Sequence, residues 1–268
     1  MLARKELRRR IAREMKGVLG PTRKLLATAN NMRKILSTKR LIKEDMEKSK
    51  LVVAFMFAEA YALFTSVKQL CEQGMSHTAS IVLRSMIELV IYLKYLRQED
   101  NEERAERFFY WAHKEKYKFM NKFPSYFSDT QKKAIKNSYE SVKRLYVMTD
   151  RRGNSTPARH WHCFRSIEKL AESVDLVSEY GAYGHLSMNV HISPAHLLGR
   201  IRNLRIEYDP FFDPGMLREN LVMNFTYFLC VCRETNDIYS LGKSEVLDKF
   251  VEQQNHFRRG WENLGDGA

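Results

Sequence analysis

Glycine and proline are scarce. The 268-residue chain has 12 Gly and 6 Pro, both below ordinary usage, with long stretches between them. That scarcity argues against a turn-rich sandwich or barrel and for long uninterrupted helices. Cysteine is equally sparse. Cys71, Cys163, Cys230 and Cys232 show neither C-x-x-C nor scaffold spacing, so they read as reduced thiols rather than a disulfide framework. No apolar run reaches the roughly 20 residues that span a bilayer. The most apolar segment, residues 51–67, holds Glu59 in its middle and reads as a core helix. The N-terminus is basic but has no apolar stretch behind it, which excludes a secretory signal. Its basic, amphipathic character also suits a mitochondrial presequence, but a cytoplasmic protein is the expectation.

Several chemical signatures are missing as well. There is no Walker A, G-x-G-x-x-G or G-x-S-x-G, which disfavours P-loop, Rossmann and α/β-hydrolase readings. No E-x-x-H occurs, which disfavours a di-iron carboxylate bundle. His160-Trp161-His162 lacks a third ligand at suitable spacing and reads as part of an exposed loop. Neither a metal nor a cofactor is expected.

What the chain does have is positive charge and helical periodicity. Residues 1–50 contain 16 Lys/Arg against 5 Asp/Glu, so that segment supplies +11 of the net +13. Localised positive charge fits phosphate backbones, anionic lipid or an acidic partner. Arg4, Lys5, Arg8, Arg9, Arg10 and Arg13 cover one helical face, continued by Arg23 and Lys24, and these are the candidate nucleic-acid contacts.

The punctuation predicts helices over about 2–16, Pro21–37, Leu41–Glu72, Ser76–Arg97 (with Ser76 as N-cap) and Asp100–Lys122. Further helices are expected over Ser128–Met148, Phe164–Ser173, an irregular stretch to His191, Met216–Leu241 and Ser244–Phe257. Residues 149–162 form the clearest loop, and no strand-like segment stands out. The expected fold is all-α, a multi-helix bundle with a basic N-terminal helical extension. Its expected organisation is a basic arm over 1–40, a bundle core over 41–243, and a polar helix and tail over 244–268.

Two segments carry chemistry. In residues 78–96, TASIVLRSMIELVIYLKYL, Arg84 and Glu88 share one face of an otherwise apolar helix. A charge placed there costs several kcal/mol unless it is paired, and Glu59 on the preceding helix is the expected partner. The second segment holds Tyr180, Tyr183, His185, Ser187 and His191 around Gly181 and Gly184. The glycines are expected to let another element approach closely, and Ser187 and His191 share a face. A cleft in which Arg84 binds phosphate competes with a buried polar network that only fixes helix register. Phe108-Phe109-Tyr110-Trp111 could stack bases, but core packing is the better reading.

Together, Arg84-Ser-Met-Ile-Glu88 and Tyr183-Gly-His-Leu-Ser187-Met-Asn-Val-His191-Ile-Ser193 resemble a bacterial all-helical family of unknown function. That family has an R-S-x-x-E helix and a Y-x-x-L-S-x-x-V-H-x-S segment. The resemblance covers roughly residues 50–235. In general look the family is similar to HEPN domains, many of which are dimeric, metal-independent ribonucleases of prokaryotic toxin and anti-phage systems. The usual HEPN R-x(4–6)-H motif has one match here, Arg107 to His113, at a level chance supplies. Phe108 stands where that motif favours a polar residue.

The resemblance implies an RNA-binding homo-oligomer, with an endoribonuclease site composed of Arg84, Glu88, His191, Tyr183, His185 and Ser187. The alternative is a non-catalytic dimerisation or interaction module whose basic arm recruits nucleic acid or a protein of a defence system.

Overall fold

In the computed structural model, the described residues exclude 1–3, 39–40, 42–45, 100, 150–152, 154, 191–200, 203–204, 207–212 and 266–268. The described residues fold as an all-α bundle. Helices α1 (Arg4–Glu14) and α2 (Lys16–Thr38) meet at Met15. The Met15 amide still donates to the Ile11 carbonyl at 2.9 Å, and the Leu19 amide to Met15 at 2.8 Å. The two helices therefore meet at a joint of one residue. The break lies earlier than Gly17, Gly20 and Pro21 suggest, and Pro21 falls inside α2. Ile11, Met15, Val18, Leu25, Ala29 and Met32 are buried in the main core, so the basic segment contributes packing as well as charge.

Helices α3 (Lys48–Glu72) and α4 (Ser76–Leu96) follow, then α5 (Asn101–Lys122). α3 starts later than the pattern predicts. It is long and apolar enough to cross a membrane by length and composition, but it buries Val53, Phe57, Ala60, Phe64 and Val67 in the protein core. Ser76 is not the cap of α4. Met75 occupies that position without a side-chain cap bond, and Ser76 is buried, its carbonyl accepting from Asn220 Nδ2 at 2.8 Å. α5 ends at a single 3-10 turn, Pro124–Tyr126. α6 (Asp129–Val142) opens with a full capping box: Ser128 accepts from the Gln131 amide and Gln131 returns the bond.

The segment expected to be an exposed loop forms a small antiparallel hairpin, β1 (Val147–Thr149) with β2 (Ser155–Pro157). A second pairing, β3 (Ile201–Arg202) with β4 (Arg205–Ile206), lies further on. Three- and two-residue strands are too short to leave an alternating signature. α7 (Ile167–Ser173) is capped by Ser166. α8 (Val177–Val190), α9 (Pro214–Tyr239) and α10 (Ser244–Gly265) complete the order.

α4 is the central element. It packs against α3, α9 and α8, and also touches α5 and α7. Leu83, Met86, Ile87 and Ile91 are fully enclosed. Phe228 of α9 stacks on Phe64 at 4.2 Å between ring centroids. Ser80 Oγ donates to Asn220 Oδ1 at 3.0 Å, tying α4 to α9 inside the core. Glu234 of α9 accepts from Lys94 at 2.7 Å and Arg97 at 3.0 Å. Burial alone would raise its carboxyl pKa, but these two cations outweigh it and hold the group below the usual range.

Candidate functional site

Arg84, Glu88 and Tyr92 recur at intervals of four along α4 and so form one stripe. α8 lies across that stripe, bringing in Tyr183 and Ser187, themselves four residues apart. Arg84 Nε donates to Ser187 Oγ at 2.8 Å, and an Arg84 terminal nitrogen donates to the Tyr183 hydroxyl. The guanidinium carbon lies 4.3 Å from the Tyr183 ring centroid. Ser187 Oγ donates to the Tyr183 carbonyl at 2.7 Å. Its proton is therefore committed to the backbone while its lone pair takes the arginine.

On the other side, the Tyr92 hydroxyl donates to Glu88 Oε1 at 2.7 Å. Burial, then Glu88, push the Tyr92 phenol up; burial, then Glu88, also raise Tyr183, with Arg84 partly opposing. Both phenols stay protonated at neutral pH and can donate toward the carboxylate. Tyr180 stacks on Tyr183 at 5.7 Å, which fixes the ring that shields the arginine.

The expected charge partner is not where the pattern put it. Glu59 is exposed on α3, because its helical phase turns it away from α4. Among the described ion pairs none reaches Arg84. The guanidinium is half-buried and held by two neutral hydroxyls, with Glu88 one turn away across the Tyr183 phenol. Of the other candidates, His185 is exposed, on a different face of α8 from Tyr183 and Ser187, and stays outside the group. His191 lies outside the described residues. The glycines of α8 do not serve close approach: a Cβ added at Gly181 or Gly184 would meet nothing within 4 Å.

The basic set is mostly free. Lys5, Arg8, Arg9, Arg13 and Lys24 are exposed, and Lys5, Arg8 and Arg9 line a shallow groove on α1. Arg10 is paired with Glu14 at 2.7 Å and Arg23 with Glu72 at 2.8 Å. The side chain of Arg4 lies outside the described residues. His113 of the chance R-x(5)-H match stacks on Tyr110, while Arg107 is tied to Glu103 and Cys163. Phe108 packs edge-on against Trp161 at 4.9 Å and Trp111 against Tyr146 at 5.0 Å, so these two are packing, while Phe109 is 48% exposed.

Sequence reasoning missed three features. Tyr92 was visible as the next turn of the Arg84–Glu88 stripe but, as an aromatic in an apolar helix, looked like core. His160-Trp161-His162 is not an exposed loop: Trp161 and His162 are buried against Tyr92, Tyr95 and Phe108. A cleft of about 460 Å³, lined in part by Lys94, Glu179, Cys230, Arg233 and Glu234, opens between α4, α8, α9 and α10. Arg84 and Glu88 are not among its lining residues. Among the described residues, no three His, Cys, Asp or Glu side chains come together as a metal site.

No curated protein compared with this chain matches it, and no solved structure does. A family match runs over residues 50–208, ending short of the expected 235. It takes in the whole Arg84–Glu88–Tyr92–Tyr183–Ser187 group and leaves α1 and α2 outside. That is more than half of the chain, which therefore belongs to DUF5677, a family of unknown function.

Proposed function

We propose that the protein is a cytoplasmic, HEPN-like RNA-binding protein that cleaves RNA without a metal ion, as a homo-oligomer in a prokaryotic toxin or phage-defence setting. The observation that carries this reading is Arg84. A guanidinium half-buried in an apolar bundle, held by two neutral hydroxyls and, among the described residues, by no ion-paired carboxylate, is suited to receive a phosphate.

In the proposed reaction a base takes the proton of the ribose 2′-OH, and the 2′-oxygen attacks phosphorus. The 5′-oxygen leaves with a proton from an acid, giving a 2′,3′-cyclic phosphate and a 5′-OH end. Arg84 stabilises the charge that builds on the phosphorane. Glu88 and the Tyr183 phenol orient the arginine, and Ser187 anchors its Nε. His191, three residues beyond Leu-Ser-Met in the same segment, is assigned the acid–base role on sequence grounds. The exposed Lys5, Arg8, Arg9 and Arg13 grip flanking phosphates.

The test is cleavage of a fluorescent single-stranded RNA by the purified full chain in EDTA. Wild type is expected to cleave, with Arg84→Ala and His191→Ala slower by about a hundredfold and Arg84→Lys intermediate. No cleavage by wild type, or equal cleavage by the alanine variants, removes the enzyme.

One observation favours the second reading, a non-catalytic dimerisation or interaction module. Arg84 ties α4 to α8 through both Ser187 and Tyr183, as a register-fixing network requires. A large drop in melting temperature for Arg84→Ala, with no nuclease activity in wild type, supports that module.

A further inference from the structure

The α5–α6 hairpin carries exposed aromatic side chains that nothing above uses. At its turn Phe119 is 50% exposed, Phe123 38% and Tyr126 75%. These rings touch one another: Phe119 lies 5.1 Å from Phe123 and 6.2 Å from Tyr126, and Phe123 6.1 Å from Tyr126, centroid to centroid. They form a contiguous knob rather than scattered apolar residues, and such patches mark interaction sites.

The knob stands away from the core. α6 packs chiefly against α5, and apart from Phe127 every residue from Asn121 to Gln131 is exposed. Charge around it has one sign. Between Lys116 and Lys136 there are six lysines against Asp129 alone, and Lys132 already neutralises that aspartate at 3.1 Å. Lys122 lies 5.3 Å over the Phe123 ring; Lys118, which reaches over Trp111, and Lys133 are exposed on the same hairpin.

We infer that this tip docks peripherally on an anionic lipid surface. Phe119, Phe123 and Tyr126 would enter the headgroup–acyl boundary, with the flanking lysines on the acidic headgroups. Two features select lipid over the other candidates. No two of these rings lie parallel: Phe123 is edge-on to Tyr126 at 89°, and Phe119 is tilted to Phe123 at 51° and to Tyr126 at 44°. They therefore present a convex apolar lump rather than the row of open faces on which bases stack. A protruding apolar lump ringed by long cationic side chains also fits the bilayer interface, where aromatics sit at headgroup depth and lysines reach upward.

The test places a reporter at the tip. Tyr126→Trp full-length protein is titrated with phosphatidylcholine vesicles with and without phosphatidylserine, and flotation is run in parallel. Expected are a blue shift of tryptophan emission, and flotation, with the serine-containing vesicles and much less with neutral ones.

Phe119→Ser/Phe123→Ser should reduce flotation roughly tenfold or more. Lys118→Glu/Lys122→Glu should do so severalfold. Arg8→Glu/Arg9→Glu, on the other basic face, should leave the blue shift intact. The inference is overturned by unchanged emission on anionic vesicles, or by flotation that persists in both tip variants. It is also overturned if single-stranded RNA, and not vesicles, shifts the emission. The lysine variants alter only exposed side chains, so their reading does not depend on how the serine variants fold.

Discussion

His162 is 1% exposed, with its Nδ1 accepting from the Phe164 amide at 3.1 Å, and its ring lies among Tyr92, Trp161 and Phe164. Burial, then the neighbouring His160, lower its pKa from 6.5 to about 4. The unfolded chain protonates this imidazole near 6.5 while the native state resists until about 4. Its contribution is therefore intact above pH 6.5 and lost as pH falls toward 4, by up to about 3 kcal/mol. Melting temperatures across pH 7 to 4 should fall, and His162→Gln should flatten that fall while starting lower. An unchanged acid slope in the variant would locate the sensitivity elsewhere.

At this scale the sequence was readable where charge stood out against grease. Arg84, Glu88, Tyr183 and Ser187 were all visible, and four of the chosen groups meet. Glu59 misled, because polarity in an apolar run says nothing about helical phase. His162 misled in the other direction. Its loop is polar on average, but Trp161 carries enough apolar area to pull the pair inward.

Along single elements, α8 departs most from what its residues suggest. Two glycines in a helix usually signal close packing, but space lies beyond both Cβ positions. Gly181→Ala and Gly184→Ala should each stabilise the protein by about 1 kcal/mol, readable as an additive rise in melting temperature. A fall would show that a neighbour approaches α8 after all.

Helix existence was legible throughout, because periodic apolar positions recur over many turns. Boundaries were not. α2 runs through Pro21 in continuity with α1 across Met15, and α4 begins with Ser76 already buried inside the helix, its main-chain carbonyl bonded by Asn220. Such boundaries are set by tertiary demand rather than local propensity.

Across the whole molecule, charge summed over long segments hides its distribution. The +2 of residues 51–268 conceals a lysine-rich turn, offset by the many carboxylates that serve ion pairs elsewhere. The N-terminal face is the other basic region. Its exposed arginines make a measurable claim: Arg8→Glu/Arg9→Glu/Arg13→Glu should weaken RNA binding and reduce the log–log salt slope by roughly 0.7 for each phosphate no longer neutralised. Melting temperature should hardly move. Fluorescence anisotropy against salt checks it, and an unaltered slope would clear this face of the role. The fold was readable at this scale because few turns and long periodic runs leave only a bundle. The family match covers residues 50–208 and so leaves out α1 and α2 at one end and α9 and α10 at the other, although all four pack in the same core.

Helix α4 is gripped on several sides at once, whereas α8 meets it along a single face. The phenol, the serine oxygen and the aromatic face described against Arg84 all come from α8. Substitutions that weaken the seating of α8 on α4 should therefore change the surroundings of that guanidinium as a set rather than one contact at a time.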